Sequence, residues 1–352
     1  MSDPATPSRV VVRAPGWLGD AVLALPAAAA IRRHFAQAHV AIAAPATVAA
    51  IFRENTDAAP DAVIELPDST REAVAVLKAG AFDVGILFPN SFGSAWQFRR
   101  AGIPARWGYP TAGRGILLTR RSPRRRHRGA RHLADYYRDL VRGLAIDCGD
   151  DGPRVRVSAA SASRAEALLA ERGVRPSTPL VGFAPGAAYG QAKQWPPDRM
   201  AQVMAHLARE TSATSVIVGA SHDRDAGRAI ESWLRAHAPA ASSRVIDLVG
   251  RTTLGSLVGI TARVAAFVSN DSGAMHVAAA LGRPVVAIFG PTDERVTRPL
   301  GDHDVITHPV FCRPCLLRDC PIDHRCMKRI SVDTVVSAVT RRLAAADKPG
   351  SE

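Results

Sequence analysis

One segment in the second half of the chain, Ser269–Pro291, constrains the fold more than any other. An apolar run at residues 265–268 predicts a buried strand that ends in a polar turn and runs directly into a helix, and the next apolar run follows Pro284. Such a strand–turn–helix directs unpaired backbone N–H groups and the positive end of a helix dipole at whatever lies above the turn. The segment therefore predicts a βαβ unit whose turn suits a phosphate.

Four residues at this turn are candidates for ligand contacts. Gly273 lets the backbone approach a ligand closely, while Asp271 and His276 place an acceptor and a donor at the edge of the turn. The alternative is an ordinary crossover in which Asp271 or Ser272 caps the helix. His276 also has an alternative role as a core histidine that is hydrogen-bonded to backbone.

Two further glycine-bearing segments have the same organisation. In Arg13–Leu23 a short strand leads into a tight turn, and Asp20 opens a helix. In Gly182–Pro197 an apolar strand leads into a loop that contains Gly186 and Lys193, and two prolines start the next helix. Loops at the carboxyl ends of strands are where an open α/β sheet binds its ligands.

Strand and helix signals alternate along the whole chain, which is typical of doubly wound α/β architecture. A polar break at Asp147–Pro153 predicts two domains, residues 1–153 and 154–352. Strands are predicted near residues 9–13, 38–43, 62–66, 82–88, 105–108, 180–184, 214–219, 245–249, 265–269, 284–289 and 304–307. Helices are predicted near residues 20–34, 70–80, 132–144, 197–210, 223–237, 254–262, 273–281 and 332–345.

Length and composition fit a globular protein of two domains. The chain has 352 residues, of which 47% are hydrophobic and 22% charged. The residues before Arg9 lack the basic and apolar regions of a secretory signal. The apolar run at 21–31 is too short to span a bilayer and contains Pro26. We therefore expect a cytoplasmic protein.

The net charge of +13 suits a polyanionic partner such as nucleic acid, anionic lipid or a phosphorylated saccharide. The densest basic run lies at residues 120–131 and includes Arg120, Arg124, Arg125 and Arg126. It lacks interleaved aromatic residues and the patterns of known nucleic-acid-binding modules, so nucleic acid is not expected as a partner. A solvated loop is the alternative to a functional contact with an anionic ligand.

Taken together, the three loop segments resemble the ADP-heptose:lipopolysaccharide heptosyltransferases of glycosyltransferase family 9, most closely the heptosyltransferase II type. The resemblance extends from Val10 to about Ile330. It implies a GT-B fold, in which two Rossmann-like domains face each other across a cleft and the terminal helix at 332–345 packs back onto the first domain. It also implies inverting transfer of L-glycero-D-manno-heptose from ADP-heptose to an inner-core acceptor of the lipid A–Kdo–heptose type.

The resemblance also assigns roles to residues in these loops. Asp20, in the Gly-Asp pair of the first loop, matches the general base that takes a proton from the acceptor hydroxyl. Lys193 matches the lysine that contacts the donor phosphates, where a positive charge stabilises the departing ADP. The other donor-site residues would be Gly186, Asp271, Ser272, Gly273, His276 and Thr292.

With Lys193 and a helix dipole at the phosphates, catalysis is expected to need no metal ion. The pairs Asp223–Asp225 and Asp302–Asp304 fit the Asp-x-Asp pattern of metal-dependent transferases. They lie near a helix start and in a charged loop, so both are interpreted as incidental. If the basic run is functional, it faces the anionic acceptor, and the enzyme makes peripheral contact with the anionic cytosolic face of the inner membrane.

Four of the five cysteines lie in one short loop, at Cys312, Cys315, Cys320 and Cys326. Four thiolates can close a tetrahedral structural zinc site, whereas disulfides are not expected in the cytosol. The spacing departs from the common paired C-x2-C arrangement, and an iron–sulfur site is a further alternative. Structural zinc is therefore a hypothesis about this loop.

Two other functions stay open from the sequence. One is a GT-B transferase with another nucleotide sugar or acceptor. The other is a non-catalytic anion-binding protein on the same scaffold, which only the net charge supports. Stabilisation by ADP, but not by UDP or GDP, distinguishes the leading hypothesis from a transferase with another nucleotide sugar.

Overall fold

The structure is a computed structural model that describes residues 7–124 and 129–346. Its contacts divide the chain into two compact units, Met1–Arg156 and Val157–Glu352. The division falls just after the polar break, because Val155–Arg156 pairs in antiparallel fashion with Asn55–Thr56 and so belongs to the first unit. Among the described helices, none combines the length and the apolar character needed to cross a membrane.

The first unit alternates strands and helices as the sequence predicts. Its described strands are β1 Arg9–Arg13, β2 His39–Pro45, β3 Asn55–Thr56, β4 Ala62–Leu66, β5 Val84–Leu87, β6 Ala105–Gly108, β7 Arg120–Arg121 and β8 Val155–Arg156. Its described helices are α1 Leu18–Leu23, α2 Leu25–His34, α3 Ala46–Ala49, α4 Thr70–Ala79, α5 Phe92–Arg100 and α6 Leu133–Gly143. The main sheet is parallel, with the order β4-β2-β1-β5-β6-β7.

The second unit repeats this plan. Its strands are β9 Leu180–Ala184, β10 Thr214–Ile217, β11 Val245–Asp247, β12 Ala266–Asn270, β13 Val285–Ile288 and β14 His303–Ile306. Its described helices are α7 Ala159–Ala170, α8 Pro197–Glu210, α9 Arg224–His237, α10 Pro239–Ser242, α11 Leu254–Arg263, α12 Gly273–Ala280, α13 Glu294–Thr297, α14 Arg325–Lys328 and α15 Val332–Ala346. The sheet is parallel, with the order β11-β10-β9-β12-β13-β14.

Side chains of the second sheet alternate between two buried clusters, one on each face. Val181 and Phe183 of β9 pack into one cluster with residues of α8 and α15. Leu180 of the same strand and Phe267 of β12 pack into the other, with residues of α7, α11 and α12. Because successive strand residues point to opposite faces, a sheet with helices on both sides buries nearly every strand position.

The terminal helix α15 packs within the second unit. It contacts α8 and strands β12, β13 and β14 of that unit, and its predicted packing on the first domain stays a prediction. Val335, Ala338 and Val339 are almost fully buried in the same cluster as the inward-facing residues of α8. These residues recur at helical spacing, so one stripe of the helix is apolar and finds its partner on the nearest sheet face.

The sequence predicts one helix at 20–34, but the structure has two helices, α1 and α2, which meet at Ala24. Pro26 lies in the first turn of α2, where a missing N–H costs nothing. A continuous helix would require that N–H to reach the carbonyl of Val22, so the proline starts a new helix.

Candidate active site

Three loops of the second unit meet at one edge of its sheet. β9 and β12 are neighbouring parallel strands, and β13 is the next neighbour of β12. Their carboxyl ends therefore lie together, and the chain order reverses between β9 and β12. This is the position at which open α/β sheets bind ligands, and the loops after these strands carry the predicted donor-site residues.

Three predicted residues, one from each loop, converge on one carboxylate oxygen. Lys193 Nζ lies 2.7 Å from Asp271 Oδ2, and the Thr292 hydroxyl donates a hydrogen bond of 2.6 Å to the same oxygen. The Lys193 and Asp271 side chains are only 12% and 5% exposed. Lys193 Nζ also lies 4.8 Å above the ring centre of Tyr189. Because an ammonium carries three donors, Lys193 can bind Asp271 and still donate to an anionic ligand.

Asn270 joins two of these loops and was missed by the sequence analysis. Its side-chain oxygen accepts the Trp195 backbone N–H at 3.0 Å, and its amide group donates to the Pro185 carbonyl at 2.6 Å. Asn270 and Trp195 are fully buried, and Trp195 packs in a core cluster of the second unit. A polar residue at the end of an apolar strand, directly before Asp271, was the available signal.

The first turn of α12 faces the same edge. Ser272 at the helix N-cap makes no capping hydrogen bond, and its hydroxyl instead lies 3.0 Å from that of Ser269. Helix geometry leaves the first backbone N–H groups, including those of Gly273 and Ala274, without partners inside the helix. With no acidic residue in this first turn, the positive end of the helix dipole is not compensated from within α12. The arrangement suits an anion.

His276 and Gly186 lie near the converging residues in sequence, and both are buried or packed against buried groups. His276 is on α12 and is 4% exposed, so it belongs to the buried part of the unit. Gly186 backs onto the buried carboxyl of Asp223, and a Cβ at this position would lie 2.0 Å from Asp223 Oδ1. The glycine is thus required by packing within the protein. Burial raises the pKa of Asp223.

The predicted base lies in the first unit, at the carboxyl edge of its own sheet. The loop after β1 leads into α1, and Asp20 is in the first turn of that helix. Tyr137 of α6 is buried, and its hydroxyl donates to Asp20 Oδ2 at 3.3 Å. Burial and the nearby Asp20 charge hold the pKa of Tyr137 well above its ordinary value, so the phenol stays protonated. Nothing in the local sequence indicates this contact.

The basic run is not uniformly solvated. The Arg120 guanidinium lies 4.9 Å over the Trp107 ring, and Arg131 pairs with Asp139. Arg124 is exposed. The predicted acceptor residues Arg125 and Arg126 lie outside the described residues.

The positive charge of Arg13, also in the first unit, is only weakly balanced by the groups around it. Arg13, at the end of β1, donates to the carbonyls of Ala14 at 3.1 Å and Ala43 at 3.4 Å. Its Nε is buried and, within residues 7–124 and 129–346, has no hydrogen-bond partner. Burial lowers the pKa of Arg13 to about 10.

Known proteins share this architecture and much of this sequence. A model of glycosyltransferase family 9 (heptosyltransferase) matches residues 70–325. The chain is 31% identical over 307 residues to lipopolysaccharide heptosyltransferase 2 of Salmonella typhimurium, which covers 83% of this chain and 85% of the relative. The chain belongs to glycosyltransferase family 9.

Two further comparisons extend the agreement over nearly the whole chain. Lipooligosaccharide heptosyltransferase 2 of Haemophilus influenzae is 28% identical over 322 residues, covering 84% of this chain and 87% of that protein. The structure of E. coli ADP-heptose lipopolysaccharide heptosyltransferase II matches with a TM-score of 0.82 at 26% identity, covering 97% of this chain and all of that one. The predicted family and the GT-B class, with two Rossmann-like units, are confirmed.

In this family 9 chain, the carboxylates of the two Asp-x-Asp pairs are bound by other groups of the protein. Asp223 is buried and accepts the Ala220 backbone N–H at 2.9 Å, whereas Asp225 is exposed and pairs with Arg228. Both carboxylates of the second pair, at residues 302 and 304, bind the Arg342 guanidinium. These contacts give each carboxylate a structural partner.

The four clustered cysteines of this glycosyltransferase line one small cavity, together with Ala192 and His324. Burial and then the neighbouring charges of Cys312, Cys320 and Cys315 raise the pKa of Cys326. The backbone N–H of His324 donates to Cys320 Sγ at 3.3 Å. Within the described ranges, no group of three or more His, Cys, Asp or Glu side chains stands in a metal-holding arrangement. The thiols thus face one another without enclosing a formed metal site.

Proposed function

We propose that this family 9 enzyme transfers heptose from ADP-heptose to a heptose-bearing inner core of lipopolysaccharide. The convergence of Lys193, Asp271 and Thr292 beside the uncapped start of α12 supports this most directly. Such a site binds the diphosphate of a nucleotide sugar. The names of the heptosyltransferase 2 relatives supply the sugar and the lipopolysaccharide acceptor.

In the proposed reaction, the acceptor hydroxyl attacks the anomeric carbon and the bond to the ADP oxygen breaks. ADP leaves with the bonding electron pair, and attack on the face opposite the leaving group inverts the configuration. Negative charge grows on the diphosphate during this step, where Lys193 and the N–H groups at the start of α12 stabilise it. Asp271 holds the ammonium in position and carries the fixed counter-charge while the site is empty.

Asp20 takes the proton of the attacking hydroxyl. A sugar hydroxyl is a weak nucleophile, so a carboxylate that accepts the proton as the bond forms lowers the barrier. The hydrogen bond from the Tyr137 hydroxyl to Asp20 Oδ2 orients the carboxylate. Because Tyr137 stays protonated, it orients Asp20 without competing for the proton.

We also propose that the first unit binds the anionic acceptor and contacts an anionic membrane face. Arg13 and the exposed Arg124 supply positive charge for carboxylates and phosphates of the inner core. On α5, Phe92 and Trp96 are more than 40% exposed, and Arg100 lies 5.9 Å over the Trp96 ring. Exposed aromatic residues beside arginines suit a lipid surface, and co-sedimentation with anionic vesicles measures such contact.

The proposed donor is tested by measuring thermal stabilisation and calorimetric binding with ADP, UDP and GDP. We expect ADP alone to bind, because the relatives' donor carries adenosine. Turnover of ADP-heptose with an inner-core acceptor should persist in EDTA at saturating donor, since the positive charge at the diphosphate comes from Lys193. Preference for UDP or GDP would instead indicate another nucleotide sugar, and binding without turnover would indicate an anion-binding protein.

For the cysteine loop we propose one structural zinc ion. Four thiols on one cavity and the N–H bond to Cys320 Sγ support it, although the side chains must turn inward to reach tetrahedral geometry. Thiolates, once formed, would hold the ion and order a loop with little core of its own. The ion would take no part in the transfer.

Purified protein should then contain about one zinc per chain, the stoichiometry of a single four-cysteine site. Replacing Cys315 and Cys320 with serine should lower the melting temperature by several degrees while kcat per folded molecule at saturating donor changes little. Metal analysis and thermal denaturation measure both quantities. Metal-free protein with four freely titrating thiols and unchanged melting would contradict the zinc proposal and leave the transferase proposal intact.

A further inference from the structure

The segment that carries the four cysteines, residues 311–326, is joined to the donor-site loops by hydrogen bonds to their backbone. We call it the cysteine loop. Two carbonyl groups of the cysteine loop accept hydrogen bonds from the Lys193 loop. The Ala192 N–H donates to the Arg318 carbonyl at 2.9 Å, and the Tyr189 hydroxyl donates to the Leu316 carbonyl at 2.8 Å. The Leu316 N–H donates to Pro291 O at 2.9 Å. The loop therefore contacts both the Lys193 loop and the Thr292 loop.

Ala192 is clamped from both sides. Besides its N–H, its carbonyl oxygen lies 2.7 Å from His324 Nε2. A carbonyl can only accept, so His324 Nε2 carries the proton of this bond. Ala192 is the middle residue of the short 3-10 turn Gln191–Lys193, and it is buried. Any shift of this peptide moves the adjoining Lys193, whose ammonium is held 2.7 Å from Asp271.

Arg313 holds the other loop in a comparable way. Its Nε donates to the Gly290 carbonyl at 2.6 Å, and its Nη2 donates to the Thr292 carbonyl at 3.1 Å. The same guanidinium pairs with Glu294 at 2.6 Å and is only 13% exposed. The planar fork of an arginine can make these bonds at once, which fixes the peptide that presents the Thr292 hydroxyl to Asp271.

We propose that His324 and Arg313 are positioning residues for the donor site, acting through the backbone of Ala192, Gly290 and Thr292. The inference deepens the proposed function and rests on it for the identity of the ligand, ADP-heptose. Neither side chain touches the reacting atoms. Both set where Lys193 and Thr292 stand, so their loss weakens donor binding and leaves acceptor binding unchanged. The chemical step slows only slightly, because the Lys193 ammonium is displaced but still present beside the diphosphate.

The test compares His324→Leu with His324→Gln. Gln places an N–H donor at about the same distance from the backbone as His Nε2, whereas Leu fills similar space without a donor. His324 has φ 58°, in the left-handed region, so both variants share the same backbone cost. His324→Leu should weaken ADP binding and raise the donor KM about tenfold, with kcat and acceptor KM within about threefold; His324→Gln should recover most of the affinity.

Arg313→Met provides an independent variant, with the same expected rise in donor KM. Asp323→Asn is the matched control, since the Asp323 carboxylate binds Arg325 inside the cysteine loop and is about half exposed. Hydrogen exchange of unliganded protein gives a second readout. The N–H groups of Ala192, Lys193 and Gln194 are hydrogen-bonded in this region and should exchange faster in His324→Leu but not in Asp323→Asn.

The possible outcomes distinguish a failure of the positioning role from a failure of the proposed donor. If the wild-type protein fails to bind ADP, the proposed donor is wrong, and the exchange of residues 190–194 in His324→Leu against His324→Gln still decides the positioning role. If both His324 variants and Arg313→Met match wild type in ADP affinity and exchange, the positioning role is overturned. Equal weakening by Asp323→Asn would also overturn it, because the effect would then be a general disturbance of the loop.

Discussion

Replacing Asp20 with asparagine is expected to lower kcat by about 10²- to 10⁴-fold while the affinity for ADP stays within about twofold. The carboxamide has the same shape and can still accept the hydrogen bond of Tyr137, but it cannot take the proton of the acceptor hydroxyl. The proposed donor residues are on the second unit, so the substitution leaves them untouched. Single-turnover kinetics and calorimetry with ADP measure the two quantities.

Tyr137→Phe is the matched variant for this prediction. It removes the hydroxyl that orients Asp20 and keeps the ring that packs 5.4 Å from the ring of Phe88, so a loss of only about tenfold is expected. The two variants therefore distinguish proton transfer from orientation. Turnover of Asp20→Asn within a few-fold of wild type would remove Asp20 from the role of base.

The convergence of the loops that carry the proposed donor site could be predicted, because the positions of these loops follow from strand order. Each motif was recognised as a strand that ends in a polar or glycine-bearing turn, and parallel neighbours must present their carboxyl ends at one edge. Once β9, β12 and β13 are adjacent, Lys193, Asp271 and Thr292 have to lie near one another. The 2.7 Å and 2.6 Å contacts are the structural consequence of that topology.

Contacts that depend on packing between distant segments could not be predicted in this way. Tyr137 is 117 residues from Asp20 in sequence, and no periodicity connects them. His324 is hydrogen-bonded to Ala192, which is 132 residues away in sequence. The cysteines around His324 suggested a metal site and gave no sign of this contact with the Lys193 loop. Such pairings are set by which helix or loop covers which sheet edge, and a local pattern carries no information about that.

Some local signals were present and went unused. α5 and α7 both begin after a serine that caps them, Ser91 and Ser158, and neither helix was predicted. The break between α1 and α2 is likewise explained by Pro26, which was noted only as an argument against a membrane span. The apolar stripe of the terminal helix is a further such signal, since it packs in the cluster on one face of the second sheet.

Replacing Lys193 with alanine is expected to lower kcat/KM for the donor by about 10²-fold or more and to weaken ADP binding. The ammonium contacts the phosphates in the ground state and stabilises the further negative charge that develops as ADP departs. Its loss should therefore raise KM and lower kcat. Steady-state kinetics with varied donor, together with calorimetry for ADP, separates the two losses. An unchanged affinity for ADP together with an unchanged kcat would show that Lys193 only forms the ion pair with Asp271.

The ion pair complicates this substitution in a way that can be measured. Without Lys193, the buried carboxylate of Asp271 loses its counter-charge and repels the incoming diphosphate, and breaking such a pair costs on the order of 3 kcal/mol of stability. Adding Asp271→Asn to Lys193→Ala removes that uncompensated charge while the amide can still accept the Thr292 hydroxyl. The double variant should therefore regain melting temperature and part of the ADP affinity. Its kcat should stay low, because the Lys193 ammonium that stabilises the departing ADP is still missing. Recovery of kcat would show that repulsion by Asp271 had caused the loss.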